Sequence, residues 1–78
     1  MMQPFLDYVV KGLVKNPEEV SITPVERSGQ TIYELRLHPD DVGQVIGKQG
    51  AMINSIRSLL VAGSAKKGLR SSLEIVED

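Results

Sequence analysis

Two glycines three positions apart, Gly47 and Gly50, stand inside the segment Val45-Ile46-Gly47-Lys48-Gln49-Gly50-Ala51-Met52-Ile53-Asn54-Ser55-Ile56. This spacing limits what the chain can fold into more than any other feature. Apolar residues recur at helical spacing on both sides and glycine interrupts them, so the segment reads as a tight turn joining two short amphipathic helices. The turn is expected to be exposed and its helices packed. Glycine at both ends removes the Cβ atoms that hold a second backbone away. The helix starting near Gly50 would also aim its first unpaired N–H groups, and the positive end of its dipole, at whatever lies over the turn. An anion is the expected occupant.

The other phosphate-binding turns fail on spacing. A P-loop needs four residues between its glycines and then Lys-Ser/Thr, whereas Gly43 and Gly47 enclose three and Lys48 is followed by Gln49. The dinucleotide fingerprint needs a further glycine where Val45 stands.

Charge supports a polyanion in place of a nucleotide. The formal net charge is only −1, but it is unevenly distributed. Up to Asp41, the cations Lys11, Lys15, Arg27 and Arg36 face Asp7, Glu18, Glu19, Glu26, Glu34, Asp40 and Asp41. From Val42 to Leu73 there are Lys48, Arg57, Lys66, Lys67 and Arg70 and no acid. The glycine turn lies in this cationic window, where a polyanion would sit.

The remaining elements follow from periodicity. Phe5, Leu6, Val9, Val10, Leu13 and Val14 fall on one helical face, Pro4 suits the first turn, and Asn16-Pro17 ends the helix, which is expected over 1–16 as a lid on a sheet. Only two lysines and Asp7 flank it, so core packing is favoured over a membrane surface. Val20 to Arg27 alternates and is β-branched, and Pro24 demotes it to an edge strand. Ser28-Gly29-Gln30 then turns the chain, giving a hairpin over 20–38. Tyr33, Leu35 and Leu37 take the inner face of the return strand, while Ile32, Glu34 and Arg36 take an outer face expected to be wet. His38-Pro39-Asp40-Asp41 reads as a helix start with His38 in a capping or solvated role. The helix–turn–helix unit is expected over 40–63, with Met52, Ile53, Ile56, Leu59 and Leu60 facing the core and Gly43 marking a close contact. Ser64 to Gly68 reads as a short basic loop, and 71–76 as a third strand.

Val45 to Ile53 matches the V-I-G-x-x-G-x-x-I signature of the KH domain, whose GxxG loop clamps the backbone of about four nucleotides. The whole chain resembles the small stand-alone bacterial KH proteins of the KhpA family. That resemblance implies an α+β fold of the bacterial type (type II), ordered α-β-β-α-α-β, with residues 1–78 forming a single KH domain. The third strand should lie beside the second and parallel to it, in a three-stranded mixed sheet with three helices on one face. It also implies single-stranded RNA as the ligand. Gly47 and Gly50 would admit the backbone, Lys48 and Gln49 would face phosphates, and Ile46 would line an apolar groove under the bases. Ile53 is either groove floor or pure core. Ala51, Asn54 and Arg57 on the following helix, with Lys66, Lys67 and Arg70 beyond it, complete the candidate surface.

Aromatic stacking is not expected near the turn, because Phe5, Tyr8 and Tyr33 are all remote from it in sequence. Binding by one such site would be modest, which favours a second site nearby. The resemblance implies the same, as such proteins form homodimers or pair with a larger KH-domain RNA-binding protein. On the last long helix, Val61 projects off the core arc and is the candidate for such a contact. The implied role is that of a post-transcriptional regulator or RNA chaperone. An assembly subunit that uses the fold mainly for protein contacts is the alternative.

Several classes are not expected. With no Cys there is no disulfide or thiolate site, which suits a reducing, cytoplasmic setting. No nucleophile–base pair, metal-ligand spacing or cofactor motif is present, so neither an enzyme nor a small-molecule substrate is expected. Asp7 and Lys11 interrupt the only apolar N-terminal segment and the run Leu59–Ala62 is too short to cross a bilayer, so no membrane partner is expected.

Overall fold

The computed structural model describes residues 2–77. Its elements are α1 (Gln3–Leu13), β1 (Ser21–Arg27), β2 (Gln30–Arg36), α2 (Pro39–Ile46), α3 (Ala51–Ala65) and β3 (Ser71–Ile75), with short 3-10 turns at Pro17–Glu19 and Lys48–Gly50. Strand order is β1-β2-β3. β1 pairs antiparallel with β2 through Ile22 opposite Leu35, and the two-residue turn Ser28-Gly29 closes on the pair Arg27 and Gln30. β3 runs parallel to β2 with Leu73 opposite Tyr33, so the sheet is mixed. Pro24 lies on the edge strand β1, where its missing N–H disturbs no second ladder.

One face of the sheet carries the core. Leu6 and Val10 of α1, Val45 of α2 and Ile53, Ile56 and Leu60 of α3 close over Ile22, Tyr33, Leu35 and Leu73, which places all three helices on that side. The α-β-β-α-α-β order and the parallel β2–β3 pair are thus as expected. Leu35 is fully buried at the centre, and truncating such a residue to Ala costs about 2–5 kcal/mol.

The other face is less wet than its alternation suggests. Ile32 points away from the helices yet is only 7% exposed. It sits on the central strand between Val25 and Ser72, so neighbours screen it from both sides.

Four features depart from the periodicity. α1 stops at Leu13, before the expected 16, because the next backbone N–H groups leave the helix for another partner. Lys15 N–H and Asn16 N–H donate to the carboxylate of Asp41 at 3.2 and 3.0 Å, and Asn16 Nδ2 adds a third bond at 3.1 Å. Asp41 is 1% exposed. Burial works to raise its pKa, but the Lys15 and Asn16 N–H donors and the Asn16 amide, together with the field of His38, outweigh that and hold the carboxyl below its ordinary value.

The second departure is the length of α3, which runs to Ala65 and absorbs part of the expected basic loop. Gly63 is interior to the helix, where a Cβ would come within 2.9 Å of Met2 Cε. Beyond Ala65 a closing turn brings the chain to Gly68, at φ 72, where Leu69 N–H bonds Ser64 O and Gly68 N–H bonds Ala65 O. That pair of bonds is a Schellman cap, with Lys66 and Lys67 in the last turn, where cations suit the dipole. Ser64 Oγ then donates to Ser71 Oγ at 2.8 Å, tying the helix end to β3.

Third, Met52 and Leu59 are 37% and 58% exposed and lie outside the core they were expected to join. The buried arc of α3 is the narrower set Ile53, Ile56, Leu60 and Ser64. Fourth, a Cβ on Gly43 would meet nothing within 4 Å, so no close contact explains that glycine. His38 does cap α2, its Nδ1 accepting from Asp40 N–H at 3.0 Å.

Candidate nucleic-acid interface

The turn is built by its glycines in two different ways. Gly47 adopts φ 77 and ψ 179, a region open essentially to glycine alone, and a Cβ there would stand 2.6 Å from Met52 Cβ and 2.9 Å from Met52 N. The fold itself therefore requires this glycine. Gly50 adopts φ 78 and ψ 9, and a Cβ there would meet only Asn54 Nδ2, at 3.6 Å. Between them Gln49 is left-handed at φ 55, which a side chain adopts at some cost. The chain reverses within these four residues and α3 starts at Gly50 with no side chain capping its first N–H groups.

Around this start, side chains form a continuous path. Asn54 lies under Gly50. One turn further on, Arg57 Nη1 donates to Asn54 Oδ1 at 3.3 Å, and Arg57 Nε donates to the carbonyl of Leu73 at 3.0 Å. Leu73 belongs to β3, the free edge of the sheet beside α3. The glycine turn, one flank of α3 and the edge strand thus share one surface.

Of the candidate residues, Lys48, Gln49, Ala51, Asn54, Arg57, Lys66, Lys67 and Arg70 are exposed and Gly47, Gly50 and Ile46 half-buried. Lys48, Arg57, Lys66 and Arg70 make no ion pair among the described residues. Ile46, at the end of α2, packs against the core from its rim, and Ile53 is a core residue at 5% exposure, which leaves it supporting the surface from below. Two residues have roles here other than those periodicity assigned: Met52, expected in the core, is what the Gly47 backbone rests on, and Asp41, expected only as an acid at a helix start, anchors the end of α1 to the start of α2. Among the described residues there is no group of His, Asp and Glu able to hold a metal ion, and no helix long and apolar enough to cross a membrane.

The family pattern of the KhpA/KhpB KH domain matches residues 3–75, which takes in the turn and every element. The chain belongs to this family. The Chlamydia caviae protein named RNA-binding protein KhpA is 46% identical over 77 residues, covering 99% of each chain. Proteins of the same name from Listeria monocytogenes serovar 1/2a and Oceanobacillus iheyensis are 41% and 37% identical, over 97% and 96% of this chain and the full length of each relative. No solved structure matches the chain.

Proposed function

We propose that this KH domain binds single-stranded RNA, its Gly47-Lys48-Gln49-Gly50 turn holding the sugar-phosphate backbone. The observation that carries this reading is the uncapped start of α3 inside an acid-free run of exposed cations. Phosphates placed over the turn would meet the first N–H groups of α3, the positive end of its dipole and the Lys48 ammonium. Lys66, Lys67 and Arg70 lie around the far end of α3, where they would attract the continuing strand. Bases directed away from the turn would lie on the surface formed by Asn54, Arg57 and the β3 edge. The full-length relatives named RNA-binding protein KhpA support the same ligand.

Binding without aromatic platforms is modest, so a second copy, or a larger KH-domain RNA-binding protein, would supply avidity. In this reading the protein is a post-transcriptional regulator or RNA chaperone, and residues 1–78 act as one domain. The alternative, an assembly subunit, draws on Leu59 and Val61 of α3, which are 58% and 52% exposed.

Titration of the protein with a short single-stranded RNA pool tests the proposal, alongside a variant carrying Lys48→Asp and Gln49→Asp. Two carboxylates where phosphates should lie are expected to abolish binding. The fold should persist, because both side chains are exposed and Asp tolerates the left-handed backbone at position 49. Retained affinity in a variant with an unchanged melting temperature would move the RNA to another surface and bring the assembly reading forward.

A further inference from the structure

Arg57 is oriented on two sides by neutral oxygens and by no carboxylate among the described residues. Its Nε–H is held by the Leu73 carbonyl and its Nη1 by Asn54 Oδ1. The Leu73 carbonyl is placed by the fold, and Asn54 by its position one turn before Arg57 on α3. Leu73 is 1% exposed in the edge strand, and Asn54 sits beneath Gly50 of the turn. A guanidinium has five N–H donors in a rigid plane, so these two bonds leave one Nη1–H and both Nη2–H without a partner among the described residues, and a free Nη1–H beside an Nη2–H makes a two-pronged fork. The side chain is exposed, so these donors face solvent along the surface that links the turn to β3.

We infer that Arg57 determines base specificity, selecting at one position a nucleobase that offers two adjacent hydrogen-bond acceptors. This rests on the RNA-binding reading above and adds to it which base is preferred. A fixed pair of donors reads a pair of acceptors. Guanine presents O6 beside N7, and cytosine presents O2 beside N3. Adenine places its amino group between N1 and N7, and uracil places N3–H between O2 and O4, so neither offers two neighbouring acceptors on those edges. In a single strand these edges are open to side chains. Asn54 is a positioning residue for the guanidinium.

The experiment compares short oligouridine RNAs carrying one central G, C or A, titrated against the intact protein, Arg57→Lys, Arg57→Ala and Asn54→Ala. The wild type should bind the G or C oligomer at least about fivefold more tightly than the A and all-U oligomers, the low end of what one bidentate contact discriminates. Which of G and C binds better tells O6/N7 readout from O2/N3 readout. Arg57→Lys keeps the charge but not the fork, so its preference should collapse toward unity while the salt dependence of binding stays near that of the wild type. Asn54→Ala should weaken the preference and keep the Leu73 bond, so it serves as the readout if Arg57→Ala unfolds. Binding without base preference, or a preference unchanged in Arg57→Lys, overturns the inference and leaves the RNA-binding reading standing. No binding of any oligomer by the wild type overturns both.

Discussion

The backbone of Gly47 rests on Met52, so closely that a methyl group at position 47 would stand 2.6 Å from Met52 Cβ. The two glycines of the turn therefore differ in what they do. Replacing Gly47 by Ala combines a backbone conformation that costs roughly 1–3 kcal/mol with a collision against backbone atoms that cannot swing aside. Gly50→Ala meets only the end of the Asn54 amide and costs about 1–2 kcal/mol for the left-handed conformation. Thermal melts of the two variants should rank Gly47→Ala clearly below Gly50→Ala, at a loss on the order of 10 °C or more for the former. The reverse order would mean that the turn opens away from Met52 in solution.

Asp41 makes an acid-sensitive joint. Its folded pKa lies below the ordinary carboxylate value, so the charged form is favoured in the native state. The stabilisation is complete above the unfolded pKa of about 3.9, and is lost as pH falls through it toward the lower folded value. Asp41→Asn presents an amide donor to N–H groups that need an acceptor, and should melt lower than the wild type at neutral pH. Below about pH 4 the two melting temperatures should converge. A constant gap from pH 7 to pH 3 would show that the loss comes from packing and not from the carboxylate charge.

RNA affinity should fall with salt. If Lys48 and one or two of Lys66, Lys67 and Arg70 contact phosphates, log K against log salt should have a slope of about −1.5 to −2, at roughly −0.7 per contact in a single strand. Lys48→Ala should reduce that slope by about one contact's worth. A slope near zero removes the electrostatic account.

Val61 tests self-association. It is 52% exposed on α3, beyond the arc of Ile53, Ile56 and Leu60. A two-fold contact through this flank would bury it, and Val61→Asp should then give a folded monomer by analytical ultracentrifugation where the wild type sediments as a dimer. An unchanged sedimentation profile places any dimer contact on another surface.

Local periodicity and turn chemistry were enough to order α1, the hairpin, α2, α3 and β3, because each carries an apolar repeat of its own and is bounded by Pro or Gly. The glycine pair and the acid-free run around it were equally visible, since spacing and charge are properties of the chain itself. Chain ends of helices were harder to read. Gly63 looked like a stop and Gly68 like part of a loop, yet a glycine ends a helix only where the backbone bonds close behind it, as those of Gly68 and Leu69 do. Gly63 serves packing against Met2 instead.

What the sequence by itself determined was the alphabet of elements, the turn and the sign of the charge around it, all set by neighbours within a few residues. Only the tertiary structure decided that Asp41 is a buried anchor and not merely an acid suited to a helix start, because its partners Lys15 and Asn16 lie 26 and 25 residues away. It likewise decided that Arg57 is held against Leu73, a contact made across 16 residues by laying β3 alongside α3. Hydrogen bonds of this kind depend on directions in space, and no local repeat encodes which distant carbonyl or N–H the packing of the core will bring within 3 Å.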